Sequence, residues 1–167
     1  VGVYGSETAV DTFGRGQLSD IATLLTEFYA EILPDFRLSI EDAGTVDVPA
    51  GETRTARQLW QWWRDQGRDE YEHSQLLLID QSQEQWERWI GYASDGGPYA
   101  VTTGMGVADL STYYQRVIIH EIGHNLNLEH GYAVPRDNQH TVMFEDPDET
   151  IKEYSERSQR EMREEIQ

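Results

Sequence analysis

His120-Glu121-Ile122-Gly123-His124 sets two imidazoles four residues apart, with a carboxylate directly after the first. On a helix, positions i and i+4 share a face one turn apart, so both rings can reach a single metal ion. Glu121 is offset around that helix, where its carboxylate can hydrogen-bond a water at the metal without itself becoming a ligand. His130 stands six residues beyond His124. A helix continued through that interval would rotate it by about 600°, ~240° net, away from the first pair. The chain must therefore leave the helix between them. Asn127 lies where the turn is needed, and asparagine is the non-glycine residue that best tolerates the left-handed conformation that ends helices. Three neutral imidazoles leave the fourth position of a tetrahedral zinc ion open, as in a reactive site rather than a closed structural one.

This motif resembles that of the metzincin clan of zinc metallopeptidases. The match is HExxHxxGxxH with Asn127 in the glycine's place, followed by Thr141-Val142-Met143, which is similar to the clan's Met-turn and puts Met143 thirteen residues past His130. The resemblance implies a zinc-dependent endopeptidase with one zinc ion per chain, held by His120, His124 and His130. Glu121 is then the general base toward a metal-activated water, and afterwards the proton donor to the leaving amine. It further implies that Met143 forms an apolar floor beneath the imidazoles. Ile90, Gly91, Tyr92 and Ala93 become an antiparallel edge strand above the cleft, to which an extended peptide adds as a further strand, and residues 144–150 line the S1′ pocket.

The chain departs from the clan's pattern beyond Asn127. Two residues after Met143, where some members carry a tyrosine that ligates the metal or stabilises the oxyanion, this chain has Glu145, so that role does not carry over. The absence of cysteine sets aside archaeal relatives with a second, cysteine-bound zinc. Two other readings stay open: a different zincin in which Glu145 or Glu129 supplies the third ligand, and a non-catalytic zinc-stabilised binding domain.

The helix that carries the motif has to be buried, because Val117, Ile118 and Ile119 precede it. It is predicted to run from an N-cap at Asp109 or Ser111 to about Leu126. Upstream, residues 1–4 read as a short strand, and Leu18, Ile21, Leu24, Leu25, Phe28 and Ile32 fall at helical spacing over 17–33. Residues 36–40 alternate Phe36, Leu38 and Ile40 as a half-buried strand. A short helix is expected over 55–66, with Leu59, Trp60 and Trp63 on one face. Leu76-Leu77-Leu78-Ile79, within 73–80, is the continuous apolar run of a strand buried on both faces. Residues 89–93 and 99–103 flank the loop Asp95-Gly96-Gly97-Pro98 as two more strands, and 149–166 reads as a closing helix. Alternating strands and helices argue for an α/β (α+β) fold. The resemblance sharpens this to a twisted, mostly parallel five-stranded sheet with an antiparallel edge strand, an active-site helix and a C-terminal helix. A single catalytic domain is expected over 1–167, with subdomains 1–126 and 127–167.

Composition narrows the partners. The 167 residues suit one domain. Thirty-one acidic residues against thirteen basic ones give a formal net charge of -18. Such a polyanion repels nucleic acid and anionic lipid; the resemblance implies a peptide or protein substrate, and a monomer is expected. Lys152 is the only lysine, and acid excess with so little lysine resembles the proteins of salt-in halophiles. No apolar run approaches the ~20 residues of a membrane span. A secreted protein is expected if a signal or propeptide was removed ahead of Val1, and otherwise a cytoplasmic one in a halophile. The remaining candidates read as structure: His140 as an exposed loop residue, His73 as a strand flank, and, in place of a sugar platform of Trp60, Trp62 and Trp63, Trp60 and Trp63 as core. Asp146-Pro147-Asp148-Glu149 reads as solvated surface, lacking the spacing of a calcium loop.

Overall fold

Leu76, Leu77, Leu78 and Ile79 form the centre of the molecule, each 1% exposed or less. They belong to β3 (Gln75–Asp80) in a computed structural model that describes residues 1–36, 38–49, 55–80, 91–94, 96–105, 112–136, 139–141, 143 and 153–166. Strand side chains alternate, so Leu76 and Leu78 enter one core while Leu77 and Ile79 enter another on the opposite face. A run with no polar break is what a strand covered on both sides requires.

Around β3 the sheet is ordered β2-β1-β3-β5-β4, from β1 (Gly2–Ser6), β2 (Glu41–Val46), β4 (Gly91–Ala93) and β5 (Tyr99–Met105). The first four in that order are parallel, and β4 runs antiparallel to β5 at the edge. From β1 the chain passes through α1 (Glu7–Phe13) and α2 (Gly16–Ile32) to β2 on one side. It then returns through α3 (Ala56–Asp65) to β3 on the other side of β1. Right-handed crossovers in opposite directions put their helices on opposite faces. Accordingly Leu18, Ile21 and Leu25 of α2 pack with Val3 and Leu76, whereas Leu59 and Trp63 of α3 pack with Tyr4 and Leu77. The α2 face also receives α4 (Thr112–Asn125) and Met162 of α5 (Glu156–Glu165). The expected architecture is the one observed.

Local differences have physical causes. The described residues 36 and 38–40 are not in a strand. Phe36, Leu38 and Ile40 do pack on the core, but the ladder starts at Glu41, which pairs with Gly2. The true edge strand, Glu-Asp-Ala-Gly-Thr-Val, is polar, and its register slips where Gly44 takes a φ of 103°. Helix α1 was not foreseen because it is one short piece with a single buried residue, Ala9, capped by Ser6. The closing helix runs over Glu156–Glu165, capped by Ser155, and residues 153–155 before it are not helical; 149–152 lie outside the described residues. Two short strands, β6 (Pro135–Arg136) and β7 (Gln139–His140), pair between His130 and Met143. The tryptophans are structural: Trp63 Nε1 donates to the Gln75 carbonyl at 2.8 Å and Trp60 Nε1 to that of Tyr99 at 2.9 Å.

Candidate metal centre

Helix α4 is apolar on the side that meets the sheet, where Val117, Ile118, Ile119, Ile122 and Leu126 are buried. Its polar residues His120, Glu121 and His124 are only 7–8% exposed, so three ionisable groups sit in the interior at one end of the sheet. Asn125 fixes that end. With its amide turned so that each polar atom has a partner, Nδ2 donates to the carbonyls of Gly97 (2.7 Å) and Tyr99 (3.0 Å) and Oδ1 accepts from Ser74 Oγ (2.7 Å).

The helix ends where the third histidine requires it to. Asn127 has φ 60°, its N–H donates to the His124 carbonyl at 2.9 Å, and the Leu128 N–H reaches back to Gly123 at 3.0 Å. These are the two hydrogen bonds of a Schellman cap with asparagine in the left-handed position. Leu128 and Ile122 share the same core, the apolar contact that accompanies such a cap. Beyond it, a 3₁₀ turn over His130–Tyr132 carries the third imidazole. The start of α5 braces that turn, with Ser155 Oγ donating to the Tyr132 carbonyl at 2.8 Å and the Arg157 guanidinium lying 3.9 Å above the Tyr132 ring.

The result is one point of convergence. The Nε2 atoms of His120, His124 and His130 lie pairwise 3.1, 3.1 and 3.2 Å apart. Ligand nitrogens around a tetrahedral zinc ion at 2.0–2.1 Å are about 3.3 Å apart, so the donor set fits that ion. At His124, Nδ1 is 2.8 Å from the Leu128 carbonyl. A proton donated there leaves the Nε2 lone pair free to ligate. Of the two acidic alternatives, Glu129 lies exposed at the rim while His130 brings its nitrogen to the set. Glu145 lies outside the described residues.

Glu121 is buried beside this set, and its Oε2 has no hydrogen-bond partner among the described residues. Burial alone pushes its carboxyl up to about 8. A cleft of about 730 Å³ opens over the group, walled by Gly91, Tyr92, Ala93 and Ser94 on one side and by His120, Glu121, His124, Glu129, His130 and Gly131 on the other. Three converging ring nitrogens and a buried carboxylate on an open cleft can hold a divalent cation and move a proton beside it.

Met143 is fully buried, and its Sδ would lie 2.5 Å from a Cβ at Gly123, so it packs directly against the motif helix. Gly91, Tyr92 and Ala93 form β4 at the cleft, whereas Ile90 and residues 144–150 lie outside the described residues. The backbone of His140 is in β7. The sequence reading missed Asn125 and Tyr154. Tyr154 Oη donates to the Ile119 carbonyl at 2.6 Å and lies 3.2 Å from Tyr29 Oη, tying α5 and α2 to the residue before His120. A polar residue inside the apolar face of α4 was the available signal for Asn125; nothing local marks Tyr154.

No family model matches the chain, and no curated protein matches it in sequence. Solved structures do. Archaemetzincin from Methanopyrus kandleri superposes with a TM-score of 0.69 over 99% of this chain and 94% of its own, at 18% identity. A zinc-dependent peptidase from Methanocorpusculum labreanum superposes with a TM-score of 0.56 over 97% of this chain and 100% of its own, at 15% identity. The chain has the fold of these structures. The absence of cysteine removes a thiolate metal site from this chain, but not its likeness to archaeal structures.

Proposed function

We propose that this chain is a zinc-dependent endopeptidase, active as a monomer and adapted to high salt, with residues 1–126 and 127–167 as the two parts of one catalytic domain. The observation that carries this is the convergence of three histidine Nε2 atoms, 3.1–3.2 Å apart, next to a buried carboxylate on an open cleft. The zinc-dependent peptidase of the same fold supports it.

Bound zinc supplies a Lewis acid that polarises a peptide carbonyl and brings the pKa of a coordinated water toward ~7. His120, His124 and His130 hold the ion as neutral imidazoles, and the Leu128 carbonyl keeps His124 in the tautomer that can do so. Glu121 takes the proton from water and passes it to the leaving amine. A buried carboxyl whose affinity for protons is raised suits both halves of that transfer. The edge strand β4, which pairs only with β5 among the described residues, offers its other side to an extended peptide, and Met143 underlies the motif helix. A purely structural zinc site has no use for an acid beside an open coordination position.

The test is metal content and peptide cleavage at ~0.1 M and ~3 M salt for wild type, Glu121→Gln and His130→Ala. One zinc per chain is expected in wild type and Glu121→Gln, with cleavage in wild type alone. His130→Ala is expected to lose zinc; undiminished zinc there would return the third ligand to Glu145 or Glu129. Zinc without cleavage in either salt would leave a metal-stabilised binding domain.

A further inference from the structure

Strand β4 has a lopsided pair of faces. Ala93 packs with the core that contains α4, while Tyr92 belongs to the other core, its ring tilted against that of Trp60 with centroids 5.5 Å apart. Alternation puts Gly91 on the Ala93 side, facing α4. The face of the edge strand that meets the motif helix is therefore made of one hydrogen and one methyl group. A Cβ built on Gly91 would run into Oε1 of Glu121 and lie 2.7 Å from its Cγ and 2.8 Å from its Cδ. All three are closer than real carbon contacts allow, and all belong to one side chain. No left-handed φ is involved at Gly91, so backbone strain is not what calls for glycine here; the requirement is space for the Glu121 carboxylate.

We propose that Gly91 is a positioning residue for Glu121: the bare backbone of the edge strand is the wall against which the carboxylate is held at the metal centre. This rests on the peptidase reading above for its consequence, though not for its geometry. Glutamate is flexible and the histidines are not involved, so a methyl group at 91 displaces the carboxylate rather than dismantling the site. A general base moved by about 1 Å loses roughly 100-fold in rate. The edge strand thus has two roles in one stretch, grip on the substrate and placement of the base.

The test is Gly91→Ala in the full chain. A crystal structure of the zinc-loaded variant is expected to show the Glu121 carboxylate displaced by about 1 Å or more, with the three Nε2 positions unchanged. Zinc content stays at the wild-type value, kcat falls about 100-fold and KM stays within about threefold. An unmoved Glu121 carboxylate, or a kcat within about threefold of wild type, overturns the proposal, as does a loss confined to KM. If Gly91→Ala does not fold, the pair Gly91→Ala/Glu121→Ala decides. Cooperative melting of the pair upholds the contact, and its failure alongside a folded Glu121→Ala overturns it. If wild type itself cleaves nothing, the peptidase reading falls while the crystal structure still decides the placement of Glu121.

Discussion

The Nδ1 atom of His124 lies 2.8 Å from the carbonyl oxygen of Leu128, four residues further on. That carbonyl is where it is because Asn127 turns the chain at φ 60°. One left-handed residue therefore does two things for the same site. It redirects the backbone so that His130 returns to the other imidazoles, and it brings the acceptor that sets the tautomer of His124.

Substitutions at Asn127 separate these effects from side-chain chemistry. Glycine takes a positive φ without cost, so Asn127→Gly is expected to keep zinc affinity and stability close to wild type. Alanine costs about 1–2 kcal/mol in that conformation. A disturbed outer partner of a ligating histidine costs about 10–100-fold in metal affinity. Urea unfolding and zinc competition against a chelator check both. Equal zinc affinity in the glycine and alanine variants would disconnect the turn from the site.

Gly123 offers a second test, because two effects oppose each other there. Alanine in a helix interior is favoured over glycine by about 1 kcal/mol. At this position its Cβ would meet Met143 Sδ at 2.5 Å and Tyr154 Oη at 3.0 Å. Overpacking of this kind costs about 1–3 kcal/mol, and the Tyr154 hydroxyl cannot retreat without losing the Ile119 carbonyl. Gly123→Ala is therefore expected to destabilise. The loss should shrink by about 1 kcal/mol in a Met143→Ala background. Additivity of the two substitutions in urea unfolding would show that Met143 is not the obstacle.

Burial pushes the hydroxyls of Tyr29 and Tyr154 up from the ordinary tyrosine value. In the unfolded chain both ionise near pH ~10. Since their folded values are higher, the folded state holds protons that the unfolded state has lost. The stability they contribute is complete below pH ~10 and declines as pH rises toward the folded values. Tyr29→Phe/Tyr154→Phe is expected to lower stability at pH 7 by about 1–3 kcal/mol, because the Ile119 carbonyl loses a buried donor. Its decline above pH ~10 should be shallower than that of wild type. Parallel slopes in urea unfolding between pH ~9 and ~11.5 would contradict this assignment.

The sheet was legible wherever a strand is covered on both faces, since burial on two sides forces the unbroken apolar run of Leu76–Ile79. It was illegible at β2, whose exposed edge needs no apolar pattern and whose register bends at Gly44. At the site, periodicity and the Asn127 position foretold the return of His130, because the requirement was local to the motif. Tyr154 could not be foretold. Its partners are Ile119 and Tyr29, 35 and 125 residues away in the chain, and only tertiary packing brings them together. Gly91 was read as part of a substrate-binding strand; that its missing side chain makes room for Glu121 depends on a helix 30 residues later.

The net charge of -18 sets a last expectation. Surface ion pairs such as Arg15–Asp42 (3.3 Å) and Arg64–Asp65 (2.9 Å) each offset little of the acidic excess. The Debye length falls from about 30 Å at 0.01 M salt to about 3 Å at 1 M, which screens repulsion between carboxylates spread over the surface. Tm is expected to rise by at least about 5 °C across that range in KCl. Glu164 and Glu165 are exposed in the last turn of α5, where negative charge also opposes the helix dipole. Glu164→Gln/Glu165→Gln should therefore melt above wild type at 0.01 M, and the two curves should converge by 1 M. A Tm that ignores salt over this interval would mean that the acidic surface does not strain the fold, and adaptation to high salt would lose its physical basis.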